Sequence, residues 1–337
     1  MSFTPPCCPH AGCPASKPSP TFAYGTAGTY VRRCDRRLVQ RFRCASCKLT
    51  FSDQSFRLDY RFRKPQLDKA IFESFVSKVS HRQIARVLRT RRPTVERRLR
   101  RFGEHARAFQ EVLLEGKRVT GSFSLDEAES FETDRRLMPV TLPVLIERDS
   151  RFLVHLAVGT LPARKSTSPA LVKRRQEFVA KHGKRRSGSR AAVKSCFESL
   201  AKHTDEQARV EVLTDLKASY PGILKEVFGK RPVAHGKTSS KEKRDSKNPL
   251  FAINHTLAML RDGVSRLVRR TWCHAKLRER LQLHLWIYAA WRNFVRYVTN
   301  ERRKETPAMA IGVEKEAWEL TRLLRWRGPY ALLLRGQ

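Results

Sequence analysis

Apolar and polar residues alternate over residues 29–34 and again over 37–43, on either side of an Asp35-Arg36 turn, which predicts a pair of half-buried strands. After Phe56-Arg57 the period becomes helical. Pro65 opens a helix in which Ile71, Phe72 and Phe75 recur at spacings of one, three and four. Ser80 suits the N-cap of a short second helix carrying Ile84, Ala85 and Leu88. Pro93 begins a third, with Val95, Leu99, Phe102 and Ala106 as its buried stripe. Farther on, Gly121-Ser-Phe-Ser-Leu-Asp126 alternates as a strand does and ends in Asp126-Glu127. Residues 142–146 and 152–158 predict two more strands around Arg148-Asp149-Ser150. Val210-Glu-Val-Leu-Thr-Asp215 is another strand running into an aspartate, and Tyr220-Pro-Gly reads as a turn. Helical tracts follow from about 249 to 270 and from 275 to about 301. Trp272, Trp286, Tyr288, Trp291 and Phe294 lie on or beside the second tract and read as core. The pattern predicts a mixed α/β chain with a helical C-terminal part.

Charge narrows the function. The 337 residues carry 69 Lys and Arg against 32 Asp and Glu, a formal net charge of +37, while 40% are apolar. That apolar share supports a folded core, and such a charge on a folded chain calls for an anionic partner, nucleic acid first. No apolar run approaches the roughly 18 residues of a membrane-spanning helix. The Pro- and Cys-rich start lacks the basic-then-apolar layout of a signal peptide, so a cytoplasmic location is expected. The charge is concentrated: between Arg86 and Arg101 stand eight arginines and one acid, Glu96. A helix with one apolar face and an arginine-rich face fits the major groove, which makes Arg89, Arg91, Arg92, Arg97, Arg98 and Arg101 the candidate DNA contacts. A second basic stretch, between Arg164 and Arg190, holds ten Lys and Arg against one Glu and reads as a loop or helical arm with breakers at Gly183, Ser187, Gly188 and Ser189.

Six of the eight cysteines fall in the first 47 residues. In a reducing compartment such crowding points to zinc rather than disulfides. Cys44-Ala-Ser-Cys47 is a metal knuckle, and Cys8 with Cys13 is its partner pair, Cys7 or His10 being alternatives to Cys8. Cys34 reads as a strand residue, and Cys196 and Cys273 as isolated buried thiols. Asp126 and Asp215, each at a strand end, are candidate oxygen ligands for a shared divalent site, where two ions about 4 Å apart would serve phosphodiester chemistry. The chain lacks a Gly-rich phosphate loop. His235 and His255 flank the candidate site in sequence.

The order of these features resembles the bacterial insertion-sequence transposases that join an N-terminal zinc ribbon and a helix-turn-helix to a ribonuclease-H-like DDE domain. The resemblance rests on Cys44-Ala-Ser-Cys47-Lys-Leu-Thr-Phe51, Ser80-His-Arg-Gln-Ile-Ala-Arg86, Leu125-Asp126-Glu127 and Leu213-Thr-Asp215. It continues through Asn254-His-Thr-Leu-Ala-Met-Leu-Arg261-Asp262-Gly-Val-Ser-Arg-Leu-Val-Arg-Arg-Thr271, Asn300 and Thr306-Pro-Ala-Met-Ala-Ile-Gly312. It implies a zinc ribbon over 1–56, a helix-turn-helix unit over 57–115, a ribonuclease-H-like catalytic domain over 116–312 and a helical tail over 313–337. It also implies metal-dependent cleavage of transposon ends and strand transfer, with structural zinc, catalytic magnesium or manganese, double-stranded DNA as partner, and a homo-oligomer on that DNA. Asp126 and Asp215 match the first two metal ligands. The usual third, a glutamate, is Asn254 here, with Arg261 seven positions on and on the same helix face. An amide oxygen can ligate magnesium but adds no charge. Asp262 is the competing third ligand. A non-catalytic DNA-binding regulator or inactive remnant, and a nuclease of the same fold, are the alternative readings.

Overall fold

The computed structural model describes residues 3–239, 241–243, 245–268, 273–299, 301 and 304–327. Trp272, Asn300, the Arg269-Arg270-Thr271 end of the Leu-Arg motif and the last ten residues of the tail lie outside them.

The N-terminal unit is a three-stranded antiparallel sheet in the order β1 (Tyr24–Val31), β2 (Leu38–Cys44), β3 (Thr50–Ser52). The first strand lies earlier than the alternation placed it, because Arg32 and Cys34 belong to the turn: the Arg32 amide bonds the Arg37 carbonyl and closes it. This sheet has its own small core, with Phe42, Phe51 and Phe56 against Cys7, Cys8, Cys13 and Cys44.

Three helices follow: α1 (Asp68–Val76), α2 (His81–Val87) and α3 (Arg92–Leu114). Ser80 caps α2 in a reciprocal box with Gln83, so the chain stops and restarts where the sequence says it must. Val95, Leu99, Phe102 and Ala106 are all fully buried along α3. That helix runs on for 23 residues, and its second half packs against α8 (Arg278–Ala290). The crossing is close at Gly103, where a Cβ would lie 2.5 Å from that of Leu283.

The third unit is a mixed sheet in the order β6-β5-β4-β8-β9, with β7 also on β5. β4 (Ser122–Phe131), β5 (Pro139–Glu147) and β6 (Leu153–Leu156) are antiparallel neighbours, and β7 is Gly159–Thr160. β8 (Val210–Thr214) runs parallel to β4, and β9 (Val233–Lys237) parallel to β8. α5 (Ser189–His203) and α6 (Ser219–Phe228) form one layer, and α7 (Phe251–Gly263) packs on β4 and β5. Between β7 and α5, α4 (Pro169–His182) buries none of its residues and stands out as a basic arm. Short helices α9 (Pro307–Ala310) and α10 (Leu320–Arg325) follow α8. Trp286, Tyr288 and Phe294 are buried. Trp291 packs partly buried against the core, and Cys273 is half-buried, not buried as expected.

Two expectations change here. Tyr220-Pro-Gly is the first turn of α6, not a loop, because proline fits a position whose amide has no helical partner. β4 does not end at Asp126. It continues five residues to Phe131, because Glu127 is neutralised where it stands by partners from other elements.

Candidate functional site

The four cysteines converge from two turns. Their sulfurs all lie within 4.8 Å of one another, with Cys8 Sγ 3.6 Å from Cys47 Sγ and Cys13 Sγ 3.7 Å from Cys44 Sγ. A tetrahedron with metal–sulfur bonds of about 2.3 Å has edges of about 3.8 Å, so the spacing and the thiolate donors fit zinc. Burial raises the Cys44 thiol, but backbone N–H groups of Cys47 and Ser46 outweigh it and hold that thiol down to about 7. Burial pushes Cys8 and Cys13 up, which a bound cation would reverse. Cys7 is buried but outside the group, and His10 Nε2 faces the Thr50 carbonyl at 3.4 Å.

A chain of buried charges joins this ribbon to the helices. Arg32 pairs with Asp59 at 2.5 Å and donates to the Phe62 carbonyl at 3.0 Å. Burial alone would raise the Asp59 carboxyl, but Arg57 and Arg32 bring it down to about 2. Arg98 pairs with Asp68 at 2.6 Å, donates to the Lys64 carbonyl and stacks 3.3 Å over the Phe62 ring. Only 3% of Arg98 is exposed. The expectation that Arg98 reaches DNA is therefore corrected: it sits beside the apolar stripe and serves the fold.

The other arginines remain at the surface. Arg89, Arg91, Arg92 and Arg97 are exposed and Arg101 half-buried. Arg89, Arg91, Arg97 and Arg101 line a cleft of about 910 Å³ whose opposite wall is the linker with Arg61, Arg63 and Lys64. Those three cations, and Arg100, were not among the sequence candidates. The only signal for them was local basicity. Tyr60, Arg61 and Arg101 also line a second cleft against the ribbon, so one basic surface spans both units.

In the sheet, β4 and β8 pair in parallel with Ser124 opposite Leu213. Continued two residues past the last recorded pair and one past the end of β8, the same register would set Asp215 beside Asp126. Asp126 Oδ1 accepts from the Glu127 amide at 2.7 Å, and Asp215 Oδ1 from the Lys217 amide at 3.0 Å. Thr214 Oγ1 donates to the Asp215 carbonyl and lies 2.8 Å from His235 Nε2, which ties the strand end to β9. Glu127 points to the other face. It accepts from Thr141 Oγ1 at 2.6 Å, Ser189 Oγ at 2.9 Å, Tyr220 Oη at 2.9 Å and Lys217 Nζ. Burial would raise the Glu127 carboxyl, and the Lys217 and Thr141 hydrogen bonds lower it instead. Burial first, then the charges of Glu127, Asp215 and Asp126, push the Tyr220 phenol up, so all three carboxylates act on one hydroxyl.

α7 runs alongside β4. Its start is near Ser122, since Arg148 donates both to the Pro249 carbonyl and to Ser122 Oγ. Its end is near Ala128 and Glu129, which line a small cavity with Leu260 and Arg261. With rises of roughly 1.5 Å per helical and 3.3 Å per strand residue, Asp126 stands at a height between Asn254 and Arg261. Both lie on the flank of the face buried by Ile253, Leu257 and Leu260. Asp262 lies on the opposite face, 73% exposed, in an ion pair with Lys78 at 3.3 Å. His255 packs against Phe251. Among the described residues, the four-cysteine group is the one cluster of three or more His, Cys, Asp or Glu whose ligand atoms all lie within 4.8 Å of one another. Carboxylate and amide oxygens are hard donors of the kind that magnesium and manganese take.

No described helix is long and apolar enough to cross a membrane. No family model and no curated protein matches the chain. One similar solved structure is the Mos1 mariner paired end complex with Mn, at 13% identity over 69% of this chain and 78% of that one, with a TM-score of 0.26.

Proposed function

We propose that the chain is a DNA transposase of the insertion-sequence type. On this reading the zinc-held ribbon and the helix-turn-helix grip the element's ends, and a ribonuclease-H-like sheet cuts and transfers the strand. The observation that supports it is the parallel pairing of β4 and β8, Ser124 opposite Leu213, a register that continued by two residues would set Asp126 alongside Asp215 in a strongly basic chain. Asp126, Asp215 and the Asn254 amide oxygen would hold a divalent metal, magnesium or manganese, which would supply charge to polarise the phosphodiester and to lower the pKa of the attacking water. Arg261, on the Asn254 side of α7, neutralises the phosphate beside the acids. Glu127 is left out of the reaction because four donors already saturate it, and it holds β4, α5 and α6 together around the site. Arg89, Arg91, Arg92, Arg97 and Arg101 hold the duplex, and a homo-oligomer on the DNA forms the active assembly.

The test is magnesium-dependent cleavage of a DNA fragment carrying the element's own end. Asp126→Asn and Asp215→Asn should each abolish it, by about a thousandfold or more, while affinity for the fragment stays within about twofold. Cleavage that survives both substitutions sinks the reading. Cleavage without strand transfer leaves a nuclease, and binding without cleavage in the unsubstituted chain leaves the regulator.

A further inference from the structure

A cavity of about 460 Å³ lies where α2 and the start of α3 meet the segment leading into α8. Arg82 and Arg92 come from the helix-turn-helix side, and Arg266, Lys276 and Arg280 from the other. Against these five cations stands one carboxylate among the described residues, Glu96, already held by Arg92 at 2.8 Å. Arg266 is the inner wall. Its Nε is buried with no hydrogen-bond partner, and its NH2 lies 3.2 Å from His81 Nε2. Burial, with Arg280 adding to it, pulls the guanidinium down to about 10. Burial and Arg266 itself hold His81 to about 2, so the imidazole is neutral and can only accept from Arg266. A largely buried guanidinium without an ion-pair partner of its own costs stability, which the His81 contact and the Glu96 charge return only in part.

An anion would. Arg266 Nε is a buried donor without an acceptor, further cations surround it, and a guanidinium fork matches the oxygens of a phosphate. We propose that this cavity is a phosphate-binding site, with Arg266 as its floor and Arg82 and Lys276 at its rim. Because its walls come from both sides of the α2–α8 junction, one bound phosphate clamps the recognition helices onto the unit that carries the sheet. That the phosphate belongs to duplex DNA rests on the function proposed above, while the site itself does not.

The experiment follows thermal unfolding of the full zinc-loaded chain against inorganic phosphate, with ionic strength held constant by chloride. The unsubstituted protein and a Lys230→Gln control should gain Tm in a saturating manner. Arg266→Met should start with a higher Tm, because the unpaired buried cation is gone, and should not respond to phosphate. Equal responses in Arg266→Met and in the unsubstituted chain, or no response beyond that to chloride, overturn the proposal. Should Arg266→Met fail to fold, Arg82→Gln and Lys276→Gln read the same site. Each should shift half-saturation roughly tenfold, the weight of one charge-assisted hydrogen bond, with little change in Tm without phosphate. Unchanged half-saturation in both overturns it. DNA binding then assigns the source. If the phosphate is the duplex's own, Arg266→Met reduces the slope of log affinity against log salt by about one. An unchanged slope with the phosphate response lost keeps the site and assigns it to free phosphate. The titration needs no cleavage, so it stands even if the transposase reading falls.

Discussion

The four cysteines of the ribbon and the two aspartates of the sheet are both candidate metal donors, and they are built in opposite ways. The cysteines come from two short turns no more than 39 residues apart, and their thiols have chiefly one another for neighbours. Around them is a core of seven buried residues, four of them the cysteines Cys7, Cys8, Cys13 and Cys44. Without a metal that core is too small to hold its strands. The aspartates are 215 − 126 = 89 residues apart and sit on strands that pairing and a large core already hold in place. A site closed by local turns commits its metal to the fold. A site closed by register has its fold supplied in advance, and its metal is left for chemistry.

The sharpest way to break that comparison is at Cys44. Cys44→Ser should release the metal and, with binding energies on the order of 10 kcal/mol at stake, unfold the ribbon through residue 56 while the sheet stays folded. Metal analysis of the protein prepared without chelator should give about one zinc per chain, and limited proteolysis should show the cleaved N-terminal segment in the variant. Protein that carries no zinc, or a ribbon that resists protease in Cys44→Ser, would undo the contrast from the ribbon side.

A smaller effect is expected on α3, where two neighbouring arginines have different work. Arg98→Ala leaves Asp68 buried and unpaired and should cost about 3–5 kcal/mol, read as a lower urea midpoint. Arg97→Ala should cost less than about 0.5 kcal/mol and instead lower the salt dependence of DNA binding by about one phosphate. Equal stability losses in the two variants would contradict the burial of Arg98.

What the sequence made legible follows the same division. The knuckle, the Ser80 cap with Gln83 and the Val95-to-Ala106 stripe are local, and each is written in adjacent residues. Arg98 was misread because helical spacing shows only that it borders the stripe, while its partner Asp68 is thirty residues away. β4 was read as stopping at Asp126-Glu127 because two adjacent acids look like a strand end. Lys217, Ser189, Tyr220 and Thr141, which make Glu127 tolerable, come from three other places in the chain. β9 was missed since Val233-Ala-His-Gly-Lys237 has little alternation, and its place is set by pairing with β8. α5 was hidden by Gly188-Ser189, read as breakers when they mark the helix start.

The smallest expected effect on stability decides which residue completes the sheet site. Asn254 stands on the flank of α7 next to the sheet, and Asp262 on its far face, held by Lys78 across a solvent-exposed gap. An exposed pair of this kind contributes only about 0.2–1 kcal/mol, so Asp262→Asn should leave both the fold and cleavage close to unchanged. Asn254→Ala should leave the fold equally intact, because no core packing depends on the amide. It should nevertheless reduce cleavage by about a hundredfold or more, since it removes an oxygen from a shell with only two charges. Asn254→Asp supplies the missing charge and should shift the metal preference, read as the ratio of magnesium- to manganese-supported rates. The reverse order, with Asp262→Asn inactive and Asn254→Ala tolerated, would require α7 to turn by about 80° against β4. That rotation would pull Ile253, Leu257 and Leu260 out of the core, so such a result would also mean that the packing described for this layer is not the active one.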